Sequence, residues 1–271
     1  MRVVVTGADG FLGWHTRARL RARSTHDVIA VHRENWSSLE QSVQDADVVL
    51  HLAGVNRGSD HEVHEGNVRL ALDVATAVRR SHRQPVVVYS NSVRAGEDSP
   101  YGVGKQEAAD ILARAATDTG ARFVDVVLPN LFGEHGRPAY NSFVATFAAA
   151  IVRGEVPRVA DRDIELLHAQ AAAESLITAA SSPTEAARPQ GTRTSVGEVL
   201  ATLQQQHTVY RAGEIPPLRT RLEVDLFNTL RAAMGESHRP ILLPRRSDGR
   251  GALAETVRAH ITPGMHVIGR A

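Results

Sequence analysis

The sequence of 271 residues contains no cysteine, few aromatic residues and no excess of charge of either sign. The absence of cysteine excludes disulfide frameworks, thiol catalysis and cysteine-ligated zinc or iron–sulfur sites. Lys and Arg number 31 and Asp and Glu 30, so the formal net charge is +1. This balance gives no sign of a protein that binds nucleic acid or a membrane surface. No apolar run approaches the roughly 20 residues of a transmembrane helix.

The chain starts directly with strand-like residues, MRVVVTG, and no charged-then-apolar signal segment precedes them. We therefore expect a cytoplasmic protein. The hydrophobic content of 42% and charged content of 23% are those of an ordinary folded chain. The length predicts one large domain, or one domain with a small lobe.

The first half alternates short β-branched runs with segments of helical periodicity, which predicts a doubly wound parallel α/β sheet of Rossmann type. The predicted strands are Arg2–Val5, Asp27–His32, Asp47–His51, Pro85–Ser90 and Arg122–Leu128. The predicted helices are Leu12–Arg23, Ser37–Ala46, Asn67–Arg80 and Gly102–Thr119, and Ser37 with Glu40 forms a capping-box pattern.

The second half is less regular, with predicted helices at Tyr140–Arg153, Ala169–Ala180, Ser195–Gln206 and Arg221–Met234. We predict a dinucleotide-binding Rossmann core over residues 1–130. A small substrate-binding lobe with interleaved core elements follows over 131–245, and a carboxyl-terminal tail over 246–271.

A glycine-rich segment, TGADGFLG, follows the first strand and places Gly7, Gly10 and Gly13 at a turn and the start of a helix. Glycine lets the backbone approach a pyrophosphate, which binds at the positive helix N-terminus beside Phe11 and Leu12. Three turn glycines without a ligand are the alternative. The position after the first strand of a βαβ series favours dinucleotide binding.

The end of the second predicted strand bears on the choice of cofactor. His32 and Arg33 stand there, and an arginine favours the 2′-phosphate of NADP through charge-assisted hydrogen bonds. Glu34 follows directly and would instead suit the ribose hydroxyls of NAD. We expect NADP, with NAD as the alternative.

Three residues make up a candidate catalytic group. Tyr101 and Lys105 are four residues apart and share one helix face, and Ser92 follows the fourth strand at the carboxyl edge of the sheet. A neighbouring ammonium favours the phenolate, so Tyr101 is the candidate proton donor and Lys105 the residue that tunes it. A solvated helix face is the alternative for any isolated Tyr-x-x-x-Lys pair.

These motifs, together with Leu52–Gly54 and Asn67, resemble the extended short-chain dehydrogenases/reductases, that is, the NAD-dependent epimerase/dehydratase family. The resemblance is closer to capsular-polysaccharide reductases of the CapF type and covers about residues 1–245. It rests on HLAGVNR, PYGVGK, PNLFG, YNSFVATF and DRDIEL.

The resemblance implies reduction by NADPH of a 4-keto group on a UDP-linked deoxy-amino-sugar. It assigns further cofactor contacts to Leu52, Ala53, Gly54, Asn67 and Pro129, and substrate contacts to Asn130 and Asn141. His135 lies in the loop after PNLFG and is a further substrate candidate. The family also implies a homodimer formed through the helices Asn67–Arg80 and Gly102–Thr119.

Two departures from the family pattern concern substrate and metal. The segment from Ala169 to Ala173 replaces a polar family stretch, which leaves the identity of the sugar open. The family continues into a metal-binding cupin domain, whereas this chain resembles only the start of that domain. With His260 and His266 as the histidines of the tail, we expect no metal site.

The sequence therefore predicts an NAD(P)-dependent oxidoreductase acting on a nucleotide-activated keto-sugar. An epimerase or dehydratase, a ketoreductase of a non-sugar natural-product intermediate, and a non-catalytic dinucleotide sensor are the alternatives. Copurified cofactor separates the first two, because an epimerase retains its cofactor and a reductase releases it.

Overall fold

The computed structural model describes residues 1–23, 25–235, 245–249, 251–262 and 265–270. The chain forms two compact units, one of Met1–Leu131 with Leu167–Gly191, the other of Phe132–Leu166 with Thr192–Ala271. No helix within the described ranges is long and apolar enough to cross a membrane.

The described strands are β1 (Arg2–Thr6), β2 (Asp27–Val31), β3 (Val48–His51), β4 (Val86–Ser92), β5 (Phe123–Leu128), β6 (Asn130–Phe132), β7 (Asp163–His168), β8 (Ala186–Ala187), β9 (Thr192–Ser195), β10 (Arg245–Asp248), β11 (Gly251–Thr262) and β12 (Met265–Arg270). The α-helices are α1 (Phe11–Arg23), α2 (Leu39–Val43), α3 (Asp60–Arg79), α4 (Pro100–Thr119), α5 (Phe143–Val152), α6 (Ala169–Ala179), α7 (Val196–Arg211) and α8 (Arg221–Met234). A 3-10 helix covers Arg33–Ser38.

The first unit is built on a six-stranded parallel sheet in the order β2-β1-β3-β4-β5-β8. The predicted doubly wound α/β fold is confirmed. The chain leaves β1 for β2 on one side and returns to β3 on the other side of β1. This reversal opens a crevice at the carboxyl ends of β1 and β3, where ligands bind in such sheets.

Both faces of the sheet are covered, as its apolar strands require. Buried side chains of α2, α3 and α4 pack on one face, around Val49, Val87 and Leu112. Those of α1 and α6 pack on the other, around Leu50, Val126 and Leu176. The apolar side chains of the strands and helices are thus used in these two cores. The residues that follow the strands at the carboxyl edge of the sheet are left to contact a ligand.

Helix starts differ from the sequence prediction, and the reason is clear for two of them. The structure starts α3 at Asp60, because Ser59 and Glu62 form a full capping box upstream of the predicted start at Asn67. The predicted capping box of Ser37 and Glu40 is wrong, since Ser37 lies inside the 3-10 helix. The capping bonds of side chains, rather than the apolar period, therefore decide where α3 begins.

The second unit has its own core, formed by α5, α7 and α8 around Phe147, Leu203 and Leu230. Within it β7 and β9 pair antiparallel. The segment predicted as a tail contains an antiparallel sheet in the order β10-β11-β12.

Candidate functional site

The turn between β1 and α1 brings two backbone segments too close together for side chains. Gly7 has a left-handed φ of 63°, and a Cβ atom there would lie 2.7 Å from the backbone nitrogen of Ala53. A Cβ atom on Gly13 would lie 2.1 Å from the carbonyl oxygen of Gly7. Gly10 continues the turn through its N–H bond to the same oxygen, at 2.9 Å. The glycines are therefore steric requirements of this turn.

Thr6 joins this turn to the end of β3. Its hydroxyl accepts N–H bonds from Leu52 and Ala53 at 3.2 and 3.3 Å, and it lies 2.8 Å from Nδ1 of His51. The hydroxyl has one proton, which it donates to the imidazole. Burial lowers the pKa of His51 to about 3, with a further contribution from the charge of Lys105, so this histidine is neutral.

Asn67 was expected to contact the cofactor, and the structure gives its side chain another role. Its Nδ2 donates to the carbonyl oxygens of Val55 and Val63 at 2.6 and 2.7 Å, and its Oδ1 accepts from Val55 N–H. Both amide hydrogens are therefore used. Asn67 therefore holds the backbone at Val55, directly after Gly54, and its contact with a cofactor stays a prediction.

The end of β2 lies beside the glycine turn, because Ala8 N–H bonds the carbonyl oxygen of Val31 at 3.1 Å. Arg33 follows as an exposed residue at the start of the 3-10 helix. His32 lies 3.8 Å from the carboxylate of Asp9, a residue of the glycine turn that the sequence reasoning did not single out.

Ser92 and Tyr101 meet at the carboxyl end of β4. Burial raises the pKa of the Tyr101 phenol, and a hydrogen bond with Ser92 and the charge of Arg94 lower it in part. We expected Lys105 to lower this pKa, whereas the structure assigns that effect to Ser92 and Arg94. The phenol is consequently protonated at neutral pH, as a proton donor must be.

Lys105 lies on the same helix, fully enclosed, with only 4% of the residue exposed. Its Nζ donates to the carbonyl oxygen of Ser90 at 2.7 Å and lies 4.1 Å from the centre of the Tyr89 ring. Burial lowers its pKa to about 7. Its charge therefore changes close to neutral pH, which a solvated helix face would not allow.

Arg94 is a further residue of the site that the sequence reasoning missed. Its guanidinium lies 5.8 Å from the centre of the Tyr101 ring and binds Glu97 at 2.9 Å. The loop is held tightly against α4, since a Cβ atom on Gly102 would lie 2.6 Å from the carbonyl oxygens of both residues. The signal in the sequence that points to Arg94 is its position as a charged residue two positions after Ser92, at the end of β4.

The candidate substrate residues are divided between the two units. Asn130 is the first residue of β6 and belongs to the first unit, directly after Pro129. His135 and Asn141 are exposed residues of the second unit, and His135 has a left-handed φ of 63°. Their roles stay predictions. Among the described residues no group of three or more potential ligands could hold a metal ion.

The geometry fits a dinucleotide. The glycine turn keeps side chains out of the space before α1, and the first N–H groups of that helix have no helical partner. The model of the NAD dependent epimerase/dehydratase family matches residues 3–190. The chain belongs to this family. The predicted short-chain dehydrogenase/reductase class and its NAD(P) cofactor are confirmed at this level.

Two relatives are more specific. A UDP-2-acetamido-2,6-beta-L-arabino-hexul-4-ose reductase of Pseudomonas aeruginosa is 38% identical over 155 residues, which are 56% of this chain and 42% of that protein. The chain thus matches less than half the length of this relative. The crystal structure of the capsular polysaccharide assembling protein CapF from Staphylococcus aureus matches 95% of this chain and 72% of its own, with 27% identity and a TM-score of 0.79.

A third neighbour shows the fold alone. The UDP-glucose 4-epimerase of Thermus thermophilus, in complex with NAD, has 19% identity and a TM-score of 0.70. The match covers 87% of this chain and 100% of the epimerase. The predicted resemblance to CapF-type proteins is confirmed by the first two relatives.

We predict that Gly13→Ala destabilises the protein by about 1–3 kcal/mol, the usual cost of overpacking, and abolishes NADPH binding. The added methyl group collides with the Gly7 carbonyl oxygen and forces the turn open. Thermal denaturation and a fluorescence titration with NADPH measure the two effects. Gly249→Ala is the control, because nothing lies within 4 Å of its Cβ position. Parental stability and affinity in Gly13→Ala would contradict the steric argument.

Proposed function

We propose that this chain is an NADPH-dependent reductase of a keto group on a UDP- or dTDP-linked deoxy sugar, with Tyr101 as the proton donor. The observation that carries the proposal is the hydrogen bond between Ser92 and a half-buried, protonated Tyr101. Both residues lie in the unit that contains the glycine turn. A relative named as a reductase of a UDP-linked 4-keto sugar supports the substrate class.

The residues divide the reaction between them. The bound dinucleotide supplies the hydride that reduces the carbonyl carbon. The Ser92 hydroxyl donates a hydrogen bond to the carbonyl oxygen, and the Tyr101 phenol gives that oxygen its proton. Loss of the proton leaves a phenolate, which the nearby guanidinium of Arg94 stabilises.

The glycine turn holds the pyrophosphate at the start of α1, and Arg33 holds the 2′-phosphate. Lys105 has two N–H bonds left after the one to Ser90, and these suit the nicotinamide ribose. Asn130, Asn141 and His135 are proposed to contact the nucleotide sugar. An epimerase would need the same proton donor, and the reductase is favoured because the 38% identical relative carries that name.

We predict that Tyr101→Phe retains NADPH binding and loses turnover by about 10²–10⁴-fold, because the change removes the proton donor and keeps the ring. Oxidation of NADPH with UDP- and dTDP-linked 4-keto sugars, followed at 340 nm, gives the rate. Tyr210→Phe, on α7, is the matched control. Near-parental turnover in Tyr101→Phe would mean that the proton comes from another group.

We predict that NADPH binds at least about tenfold tighter than NADH, an advantage of about 1.4 kcal/mol, and that Arg33→Ala removes most of it. The reason is the charge-assisted bond from the guanidinium to the 2′-phosphate. Titrations with both cofactors give the ratio of Kd values. Arg21→Ala, an exposed change near the far end of α1, should keep that ratio. Equal affinities in the parent protein would refute the assignment.

We also propose that the protein is a cytoplasmic homodimer that pairs through α3 and α4. Leu72 and Val103 are large apolar residues exposed on these two helices, at 46% and 38%. Sedimentation equilibrium should give twice the chain mass of 29.3 kDa. Leu72→Glu should shift the equilibrium to monomer, and a parent protein that sediments as a monomer would contradict the proposal.

A further inference from the structure

A carboxylate lies in the middle of the parallel sheet where an apolar side chain is usual. Asp125 stands on β5 and is in register with Tyr89 of β4. Phe123, two residues earlier on the same strand face, packs in the core under α4. Oδ1 of Asp125 is buried and has no hydrogen-bond partner among the described residues. Since burying a carboxylate is costly, such a position requires an explanation.

The other carboxylate oxygen is connected to the candidate catalytic serine. Nδ2 of Asn91 donates to Oδ2 of Asp125 at 3.0 Å. Oδ1 of the same amide accepts the backbone N–H of Ser92 at 2.9 Å. A carboxylate accepts and cannot donate, so it fixes which way the buried amide points. The orientation of the amide in turn holds the backbone of Ser92.

The second connection is electrostatic and reaches Lys105. This residue is the single lysine in the chain; the other 30 of the 31 Lys and Arg residues are arginine. Its ammonium is buried against the Tyr89 ring, the residue in register with Asp125. Among the described residues, Lys105 and Asp125 make no direct ion pair. The attraction between the ammonium and the carboxylate therefore acts over a longer distance.

The side chains that enclose Lys105 carry no negative charge of their own at neutral pH. On β3, His51 is neutral, and burial raises the pKa of Tyr89 on β4. On α4, Tyr101 is protonated, while Asp110 is exposed and acts on Asp125. Asp125 is therefore the buried counter-charge of the ammonium.

The effects on the pKa values agree with this arrangement. Burial lowers the pKa of Lys105, and the Asp125 carboxylate raises it again in part. Burial raises the pKa of Asp125, whereas Asn91 and Lys105 lower it. Lys105 would lose its proton at a still lower pH without this neighbour.

We propose that Asp125 is a positioning residue of the site, which is the counter-charge of the Lys105 ammonium and, through the Asn91 amide, holds Ser92. The proposal rests on the proposed function in so far as Lys105 and Ser92 take part in the reaction. Two substitutions separate its two connections. Asp125→Asn removes the charge and still offers Asn91 an oxygen acceptor, whereas Asp125→Leu removes both.

The single lysine permits a test that does not require activity. In protein labelled with [ε-13C]lysine, one NMR signal reports the protonation of Lys105 as pH is varied. We expect Asp125→Asn to lower the Lys105 midpoint by about one pH unit or more, the usual effect of a nearby opposite charge. Asp118→Asn, an exposed change at the end of α4, should leave the midpoint unchanged.

The pH dependence of the kinetic constants tests the roles of the same groups. The alkaline limb of kcat/KM should move down with the Lys105 midpoint in Asp125→Asn, giving about a tenfold loss near pH 8 and little loss near pH 5.5. Asp125→Leu should also lower kcat near pH 5.5, because Ser92 is no longer held. Circular dichroism shows whether each variant is folded, and Asp125→Val replaces Asp125→Leu if the latter is not.

An unchanged midpoint of the Lys105 titration in Asp125→Asn would overturn the proposal that Asp125 is the counter-charge of Lys105. Equal kcat values of the Asn and Leu variants near pH 5.5 would overturn the link to Ser92. If the midpoint moves as expected and the parent protein reduces no keto sugar, the counter-charge stands and the proposed function fails.

Discussion

The site depends on one close approach of two backbone segments, the turn at Gly7 and the end of β3 at Ala53. At this point there is no room for a Cβ atom, and the hydroxyl of Thr6 bonds the N–H groups that follow β3. The approach brings the glycine turn to the crevice where the strand order reverses. Any side chain at Gly7 would collide with the backbone of Leu52 and Ala53 and would push the turn away from the end of β3.

The second constraint is the burial of ionisable groups on the α4 side of the sheet. Tyr101, Lys105 and Asp125 all have pKa values displaced by burial, and each displacement opposes the charged form. Perturbed groups of this kind concentrate where proton transfer occurs. The arrangement keeps the phenol protonated while it places the guanidinium of Arg94 beside the position where a phenolate would form.

The sequence predicted the sheet, its parallel strands and the residues at its carboxyl edge. A continuous apolar run such as Val48–His51 is a strong signal for a buried strand. A glycine such as Gly120 is a strong signal for the end of a helix. The helix start at Asp60 was missed because the periodic apolar pattern begins later than the capping residues. In the same way, the roles of Arg94 and Asp125 were missed, since they depend on contacts between β4, β5 and α4.

The identity of the basic residue at position 105 follows from this burial. An arginine keeps its charge at every pH that a protein tolerates, and its planar group needs several acceptors when it is enclosed. Lys105 has one backbone acceptor, an aromatic ring and a carboxylate that is not in direct contact. A compact ammonium satisfies this environment and can change its charge near neutral pH. The chain uses arginine at every other position of the Lys and Arg type, and lysine at this buried position.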